Sequence, residues 1–458
     1  MTFTSSNRSP SVKLGIAIVI GLVLSIPLFS VWLMVYDREH QSTAAKASIA
    51  EGWGGPQVIA GPLLVIPYRT TVTESATEAG KPVVHTRQVW QQLTLSPETV
   101  ALSTDVRPDR RKRSIYEVVV YEAAVRGKAR FAMPADLSRF GVAPADLALD
   151  RAEIHFGVSD PRGLAGNPNI AAAGRALRLQ PGGGTAATGG AGFFAWLDAT
   201  GLGAAPLDVA FDYTVRGNES LSLAPDAGET LWRVHSSWPS PSFQGGFLPA
   251  HPSVGKQGFD AVYRIGNLAL GQSLIATGAA ADRKGPDELR GPGGAAPHQA
   301  GVSLMQPVDL YSQVNRAAKY GFLFIGFTFV AFLLFDLIGG VRVSGVEYLL
   351  VGAALVLFFV LLLAFAEVIG FTPAYLVAAG AIVGLETAYS AAVLGSWRRA
   401  GFIFGLLGAL YVVLYVLLSL EAFSLLIGSL MLFVALAGVM YLTRNLNWGG
   451  KGNGEAEA

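Results

Sequence analysis

The sequence predicts a membrane protein of six transmembrane α-helices, one N-terminal and five C-terminal, with a large β-rich, sandwich-like domain between them. Three observations predict this. Apolar residues make up 51% of the 458 residues and only 15% are charged. The apolar residues gather in long blocks at the two ends of the chain, whereas the middle carries short alternating stretches bounded by Gly and Pro. The few charges between the apolar blocks are sorted by sign.

Residues 14–36 form the first block, long enough for the roughly 20 helical residues that a hydrocarbon core requires. Pro27 is tolerable there, because membrane helices re-satisfy a freed carbonyl locally. A cleaved signal peptide would also begin with basic residues such as Arg8 and Lys13, and Ala45-Lys46-Ala47 has the small-x-small form of a cleavage site. The block is too long for a signal core, however, and Asp37, Arg38, Glu39 and His40 part it from that triplet. It reads as an uncleaved anchor. Further spans are expected at 320–341, 346–366, 372–394, 400–419 and 422–442.

Short loops rich in Lys and Arg stay in the cytoplasm. With residues 1–13 inside, Arg342, Arg398, Arg399, Arg444 and Lys451 also fall inside, and the 443–458 tail with them. The short loops at Glu367 and Glu421 fall outside without a basic residue. Residues 37–319 are thereby expected across the membrane as one external domain.

Within that domain Leu207, Val209, Phe211, Tyr213 and Val215 alternate with Asp208, Asp212, Thr214 and Arg216, which predicts a half-buried strand. Gly217-Asn218 then suggests a hairpin into 220–224. Similar patterns at 58–68, 89–95, 116–120, 152–158, 231–235 and 259–265 bring the expectation to eight or so strands in one or two antiparallel sandwiches. The Gly- and Ala-rich stretch 161–206 and the segment 278–301 read as long loops. The run Arg110-Arg111-Lys112-Arg113 could meet anionic lipid, but its place before a strand favours a solvated hairpin tip.

Residues 232–249, WRVHSSWPSPSFQGGFLP, combine aromatics and prolines. Trp238, Pro239, Pro241, Phe243 and Phe247 form a candidate recognition loop for an envelope ligand. The favoured alternative is a proline-punctuated strand crossing whose aromatics fill the core.

The catalytic search is nearly empty. Without cysteine there is no disulfide, thiolate nucleophile or cysteine-held metal. No G-x-S-x-G, P-loop or H-E-x-x-H occurs, and the six histidines, His40, His85, His155, His235, His251 and His298, show no i, i+4 pair. Gly182-x-Gly184-x-x-Ala187 echoes a dinucleotide fingerprint without a following helix. Ser253-Val254-Gly255-Lys256 matches S-x-x-K but lacks the partner motifs. A net charge of +1 argues against nucleic acid. No enzyme, metal or cofactor is therefore expected.

Two acids fall within apolar spans. Asp336 and Glu386 are costly in hydrocarbon and must face the bundle, pair, or be neutralised. Facing each other across a wet cleft they would suit a proton-linked transporter or permease. The favoured alternative has Asp336 reaching toward Arg342 and Glu386 bonding a neighbouring helix through Thr387 or Tyr389. Gly380-x-x-x-Gly384 and Gly401-x-x-x-Gly405 would allow close helix approach, within one chain or between two.

The most specific residues form a constellation: Gly55-Pro56-Gln57 with Gly61-Pro62-Leu63 and Ile66-Pro67; Trp238-Pro239 with Pro241-Ser242-Phe243 and Phe247-Leu248-Pro249; Tyr311, Arg316, Lys319 and Tyr320; and Leu442-Thr443-Arg444-Asn445 with Trp448. In these, and in the order of anchor, large domain and C-terminal spans, the chain resembles the CreD family of bacterial inner-membrane, cell-envelope integrity proteins. The resemblance implies a periplasmic placement of the large domain, a role in envelope homeostasis and no established catalytic residues. The chain departs from the family pattern in its expanded Gly/Ala-rich loops and in Asn447, where an acid is expected. The expected function is thus a non-enzymatic inner-membrane protein whose periplasmic domain binds or senses an envelope component. Its partners would be the lipid bilayer and an unidentified envelope component, in an oligomeric state the sequence does not define.

Overall fold

A computed structural model describes residues 10–78, 81–113, 116–278, 298–304, 310–337, 344–419 and 424–444. The chain divides into two compact units, one made of Met1–Thr43 with Val308–Ala458 and the other of Ala44–Pro307.

Helix α1 (Pro10–Trp53) opens the described chain. Strands β1 (Gln57–Glu78), β2 (Lys81–Leu95), β3 (Thr99–Arg113), β4 (Tyr116–Phe131), β5 (Ala152–Val158), β6 (Leu164–Ala172), β7 (Arg175–Ala176), β8 (Leu179–Pro181) and β9 (Gly192–Leu197) follow. Next come β10 (Leu207–Asn218), β11 (Ser220–Ala224), β12 (Glu229–Ser236), β13 (Pro241–Gly245), β14 (Ser253–Gly255) and β15 (Gly258–Gly266). A one-turn helix α2 (Asn267–Leu270) leads to β16 (Ile275–Thr277) and β17 (Ala300–Leu304). The remaining helices are α3 (Leu310–Leu337), α4 (Gly345–Ile369), α5 (Phe371–Val393), α6 (Trp397–Ser419) and α7 (Ser424–Thr443).

In the helical unit, five helices among the described residues are long and apolar enough to cross a membrane, against the six spans expected. The expected sixth, 422–442, corresponds to α7, an apolar helix of 20 residues. The buried side chains of α1, Ala17, Leu24, Leu28, Val31 and Val35, recur every three, four or seven residues and so share one face. That face is pinned to α3 by Trp32 Nε1, which donates to Asn315 Oδ1 at 3.1 Å. Arg38 lies 3.7 Å from Glu367 at the end of α4. Close approach uses glycines the motifs did not pick out: a methyl at Gly321 would strike Leu28, and one at Gly352 would strike Leu24. At Gly380, Gly384, Gly401 and Gly405 an added methyl meets no described atom within 4 Å. Ser344 and Glu347 form a reciprocal capping box that starts α4.

The helix that begins in the first apolar block does not stop where that block ends. It continues for 44 residues in all, because 37–53 has four Ala and no Pro, with its one Gly near the end. Gln41 Nε2 adds a bond to Asp37 Oδ2 one turn back, at 2.8 Å. Gly54, at φ 118°, ends it in a conformation that side chains avoid.

The other unit is a β-sandwich. One sheet runs β13-β17-β11-β1-β5-β9-β8, with β2 beside the distal part of β1 and β16 beside β2. The second runs β14-β15-β12-β3-β4-β10-β6-β7. Only β1–β11 and β3–β12 among the described pairs are parallel. Both sheets contribute to a common hydrophobic core. Phe156 and Phe193 of the first sheet stack at 5.1 Å, and Phe156 meets Phe211 of the second edge-on at 5.6 Å. Tyr263 of β15 donates across the sandwich to Gly301 O at 3.1 Å. Burial raises the Tyr263 hydroxyl well above its ordinary range, so it stays a donor.

Two expectations are corrected here. Residues 161–206 are not an unbroken loop, since they contain β6 to β9, which cover 20 of the 46 residues. Small Gly and Ala side chains give an alternation too weak to register there. The 207–224 segment is not a hairpin either: β10 belongs to the second sheet and β11 to the first, and the chain crosses between them at Glu219, φ 59°. Of 278–301, residues 279–297 lie outside the described set, while Ala300 begins β17.

The two sheets are locked where α1 delivers the chain to β1. Gln57 is only 1% exposed, and its Nε2 donates to Arg216 O at 2.9 Å and to Asp160 O at 3.2 Å. Its Oε1 accepts from Ser159 Oγ and from Asp160 N, each at 3.2 Å. The space exists because neighbours lack side chains: a methyl at Gly54 or Gly163 would collide with Arg216 O, and one at Gly217 with Tyr121. Tyr121 donates to Ser220 O at 2.6 Å, joining β4 of one sheet to β11 of the other. Trp53, the last residue of α1, donates to Tyr121 O at 3.3 Å. Its ring lies between the guanidinium groups of Arg111, at 4.5 Å, and Arg216, at 4.6 Å. The basic run 110–113 thus closes the β3–β4 hairpin and supplies one face of this clamp, with residues 114 and 115 outside the described set.

Replacing Gln57 by Ala strands buried carbonyl and amide groups, each worth about 1–3 kcal/mol. Gln57→Ala is expected to destabilise the sandwich by about 2–4 kcal/mol, read as a lowered melting temperature of the purified full-length protein. Asp160 gives the same junction an acid limit. Hydrogen bonds from the Arg162 side chain hold its carboxyl below the usual carboxylate range, aided by the amides of Arg162 and Gly55. A depressed carboxyl stabilises above its unfolded value, about 3.9, and that stabilisation fades as pH falls through the folded value. Asp160→Asn is expected to lower the melting temperature at neutral pH and to flatten its decline below about pH 4.

Candidate functional site

The outward faces of the two sheets differ in chemistry. On the second, β4 and β10 carry cross-strand ion pairs, Arg126–Asp212 at 3.0 Å, Arg130–Asp208 at 2.9 Å and Arg216–Glu122 at 2.8 Å. These are ordinary solvated pairs of small net energy. On the first sheet, β9 alternates so that Phe193, Ala195 and Leu197 enter the core while Phe194 and Trp196 turn outward.

Trp196 is 58% exposed yet held in place. Its Nε1 donates to Glu153 Oε1 of the adjoining β5 at 3.2 Å, and Phe194 meets its ring edge-on at 5.3 Å. The other carboxylate oxygen of Glu153 is 2.9 Å from His155 Nε2, and the His155 ring lies 5.5 Å from Phe194. The antiparallel register explains the grouping, since Glu153 pairs with Trp196 and His155 with Phe194. Farther along the same sheet Trp90 of β2 is 53% exposed, with the guanidinium groups of Arg69 and Arg151 each 5.7 Å from its ring centre. Large apolar faces in water are unfavourable by about 25 cal/mol per Å², so ordered exposed tryptophans beside hydrogen-bonding groups suit a contact surface. Sequence reasoning missed Trp196 because it lies in the stretch read as loop. The five-residue alternation Phe193 to Leu197 was the available signal.

The 232–249 segment is placed otherwise. Trp238 is 6% exposed, with Arg110 5.6 Å from its ring. Pro241 and Phe243 lie in the edge strand β13, paired to β17, and Phe243 meets the core residue Phe259 edge-on at 5.8 Å. Phe247 packs against the core, and Pro239 is exposed between them. The three aromatic side chains thus direct their faces to the protein interior.

Ser253 opens β14 and Lys256 sits in the turn to β15, both exposed. Neither residue lies on a helix, so the helical-turn juxtaposition that S-x-x-K chemistry needs is absent. Gly182 and Gly184 occupy the turn between β8 and β9, with no helix of binding length after them. His235 lies 2.9 Å from Asp260 on the exposed β12–β15 pair. Among the described residues no three His, Asp or Glu side chains are grouped to hold a metal ion.

Of the two intramembrane acids, Asp336 lies on α3 with its side chain outside the described residues. Glu386 is 1% exposed on α5, and neither carboxylate oxygen has a hydrogen-bond partner among the described residues. Thr387, one of the two residues through which a bond to a neighbouring helix is expected, donates to Val383 O of its own helix at 2.6 Å.

Comparison with known proteins adds two findings. The family model described as Inner membrane protein CreD matches residues 9–449. Inner membrane protein CreD of Escherichia coli strain K12 is 31% identical over 436 residues, which cover 93% of this chain and 91% of that protein.

Proposed function

The chain belongs to the CreD family of inner membrane proteins, and on that premise we propose that it is a non-enzymatic protein of cell-envelope integrity whose sandwich binds an envelope component in the periplasm. The observation that carries the binding is the exposed, ordered group of Trp196, Phe194, Glu153 and His155 on the outward face of the first sheet. A ring fixed before the ligand arrives loses little freedom on contact, which is how a small aromatic patch becomes a binding hot spot.

The periplasmic placement rests on charge. Arg8 and Lys13, Arg342, Arg398 with Arg399, and Arg444 with Lys451 all fall on one side when both termini are cytoplasmic, and the positive-inside rule supports that orientation. A permease reading would rest on Glu386 alone among described groups, whereas the binding reading rests on several side chains brought together from two strands.

Trp196→Ala is expected to cost about 2 kcal/mol or more in binding and to reproduce the envelope defect of a null strain, read as leakage of a periplasmic marker enzyme. Protein abundance and melting temperature stay near wild type, because the side chain is mostly exposed. Normal envelope behaviour of Trp196→Ala at normal abundance would remove this patch from the function. Ser253→Ala is expected to be without effect.

A further inference from the structure

Helix α5 carries a buried polar pair that the binding reading does not use. Glu386 is 1% exposed and Ser390, one helical turn further on the same face, is fully buried. Both oxygens of Glu386 and the hydroxyl of Ser390 lack any hydrogen-bond partner among the described residues, and no described cation pairs with the carboxyl. Glu386 lies seven residues before the end of α5, about 10 Å into the segment along the axis.

The surroundings decide what can neutralise it. From α6 comes Tyr411, within electrostatic reach of Glu386 and itself packed on Phe324, Phe358 and Tyr375. From α5 comes Tyr389, which also senses Glu347 in the first turn of α4. The neighbouring Tyr348 of α4 is buried against Phe329 and Phe332. Arg398 and Arg399 lie beyond the end of α5, and Arg399 Nη1 donates to Leu394 O at 3.4 Å. On α3 the charged Arg316 and Lys319 stand in the first turns of that helix. The electrostatic neighbours of Glu386 among the described residues are thus the phenols of Tyr389 and Tyr411.

An isolated carboxylate in such a place is disfavoured by several kcal/mol. A bound metal cation would need roughly six oxygen ligands, and Glu386 with Ser390 supplies three. A proton needs only one carboxylate oxygen to hold it, and it removes the buried charge outright. We propose that Glu386 is a proton-binding site inside the helical bundle, held as the neutral acid one helical turn from the buried Ser390. The site is independent of the sandwich and of the side of the membrane on which the sandwich lies. It gives the bundle a titratable element whose ionisation would disturb the packing of α4, α5 and α6.

Dicyclohexylcarbodiimide, an apolar reagent selective for protonated carboxyls, tests this in membranes containing the full-length protein. The acid's proton passes to a carbodiimide nitrogen and its oxygen bonds to the central carbon. Migration of the acyl group to nitrogen then gives a stable N-acylurea, a net addition with no leaving group. Mass spectrometry is expected to find the adduct on Glu386 at neutral pH and not in Glu386→Gln. A water-soluble carbodiimide is expected to leave Glu386 unmodified. As a second readout, the infrared carbonyl band of a protonated carboxyl is expected in the wild type and missing in Glu386→Gln. Two results would overturn the proposal: Glu386 unmodified in the folded protein but modified after unfolding in detergent, or protection by sodium or potassium ions, which would assign the site to a metal cation.

Discussion

The sandwich depends on one buried amide. Gln57 offers two donors and two acceptor positions, and the structure uses all four, two toward each kind of group, within a space cleared by Gly54, Gly163 and Gly217. No other uncharged side chain of that length can donate to two carbonyls and accept from two donors at once except asparagine, which is one methylene shorter. Because Arg216 belongs to the second sheet and Gln57 to the first, the same amide fixes the two layers to each other. Trp53, four residues earlier, is stacked between Arg111 and Arg216, so the end of α1 is registered to the same point. The Gly55-Pro56-Gln57 motif therefore has a packing reason that stands apart from any ligand.

With the layers locked, each outward face is free to serve its own chemistry. The charged ladder of β4 and β10 keeps the second sheet soluble and costs little to solvate. The first sheet exposes tryptophan and phenylalanine beside a carboxylate and an imidazole, in a group whose internal hydrogen bonds hold it still. That difference between faces, more than any single residue, is what singles out a contact surface on a domain with no assembled catalytic group among its described residues.

The legible parts of the chain were those in which one physical signal dominates. An unbroken apolar run of about 20 residues is too long for a strand and too greasy for a solvated helix, so it marks a span. Helices α1 and α3 to α6 lie on such runs. The strict alternation of 207–215 likewise marked β10, because large side chains enter the core at every second position. Where the deciding contacts are distant, the local signal failed. Gly217-Asn218 looks like a hairpin turn, but the chain uses it to change sheets, a choice set by Tyr121 and Gln57 rather than by the turn residues. The Gly/Ala-rich stretch hid β6 to β9 and with them Trp196. Conversely, the tryptophan that drew notice, Trp238, has its face covered, since aromatic content does not reveal direction. Glu386 was visible as an acid among apolar residues, but only the folded bundle shows its carboxyl without a partner among the described residues.

All of the envelope reading presupposes that the sandwich stands outside the cytoplasm. The absence of cysteine makes this directly measurable, because a single introduced thiol reports its own position. Lys256→Cys, on the exposed β14–β15 turn, and Ser396→Cys, between α5 and α6, can each be exposed in intact cells to a maleimide that does not cross the inner membrane. The account predicts labelling at position 256 in intact cells and at 396 only after the inner membrane is opened. Labelling at 396 but not at 256 in intact cells would contradict it.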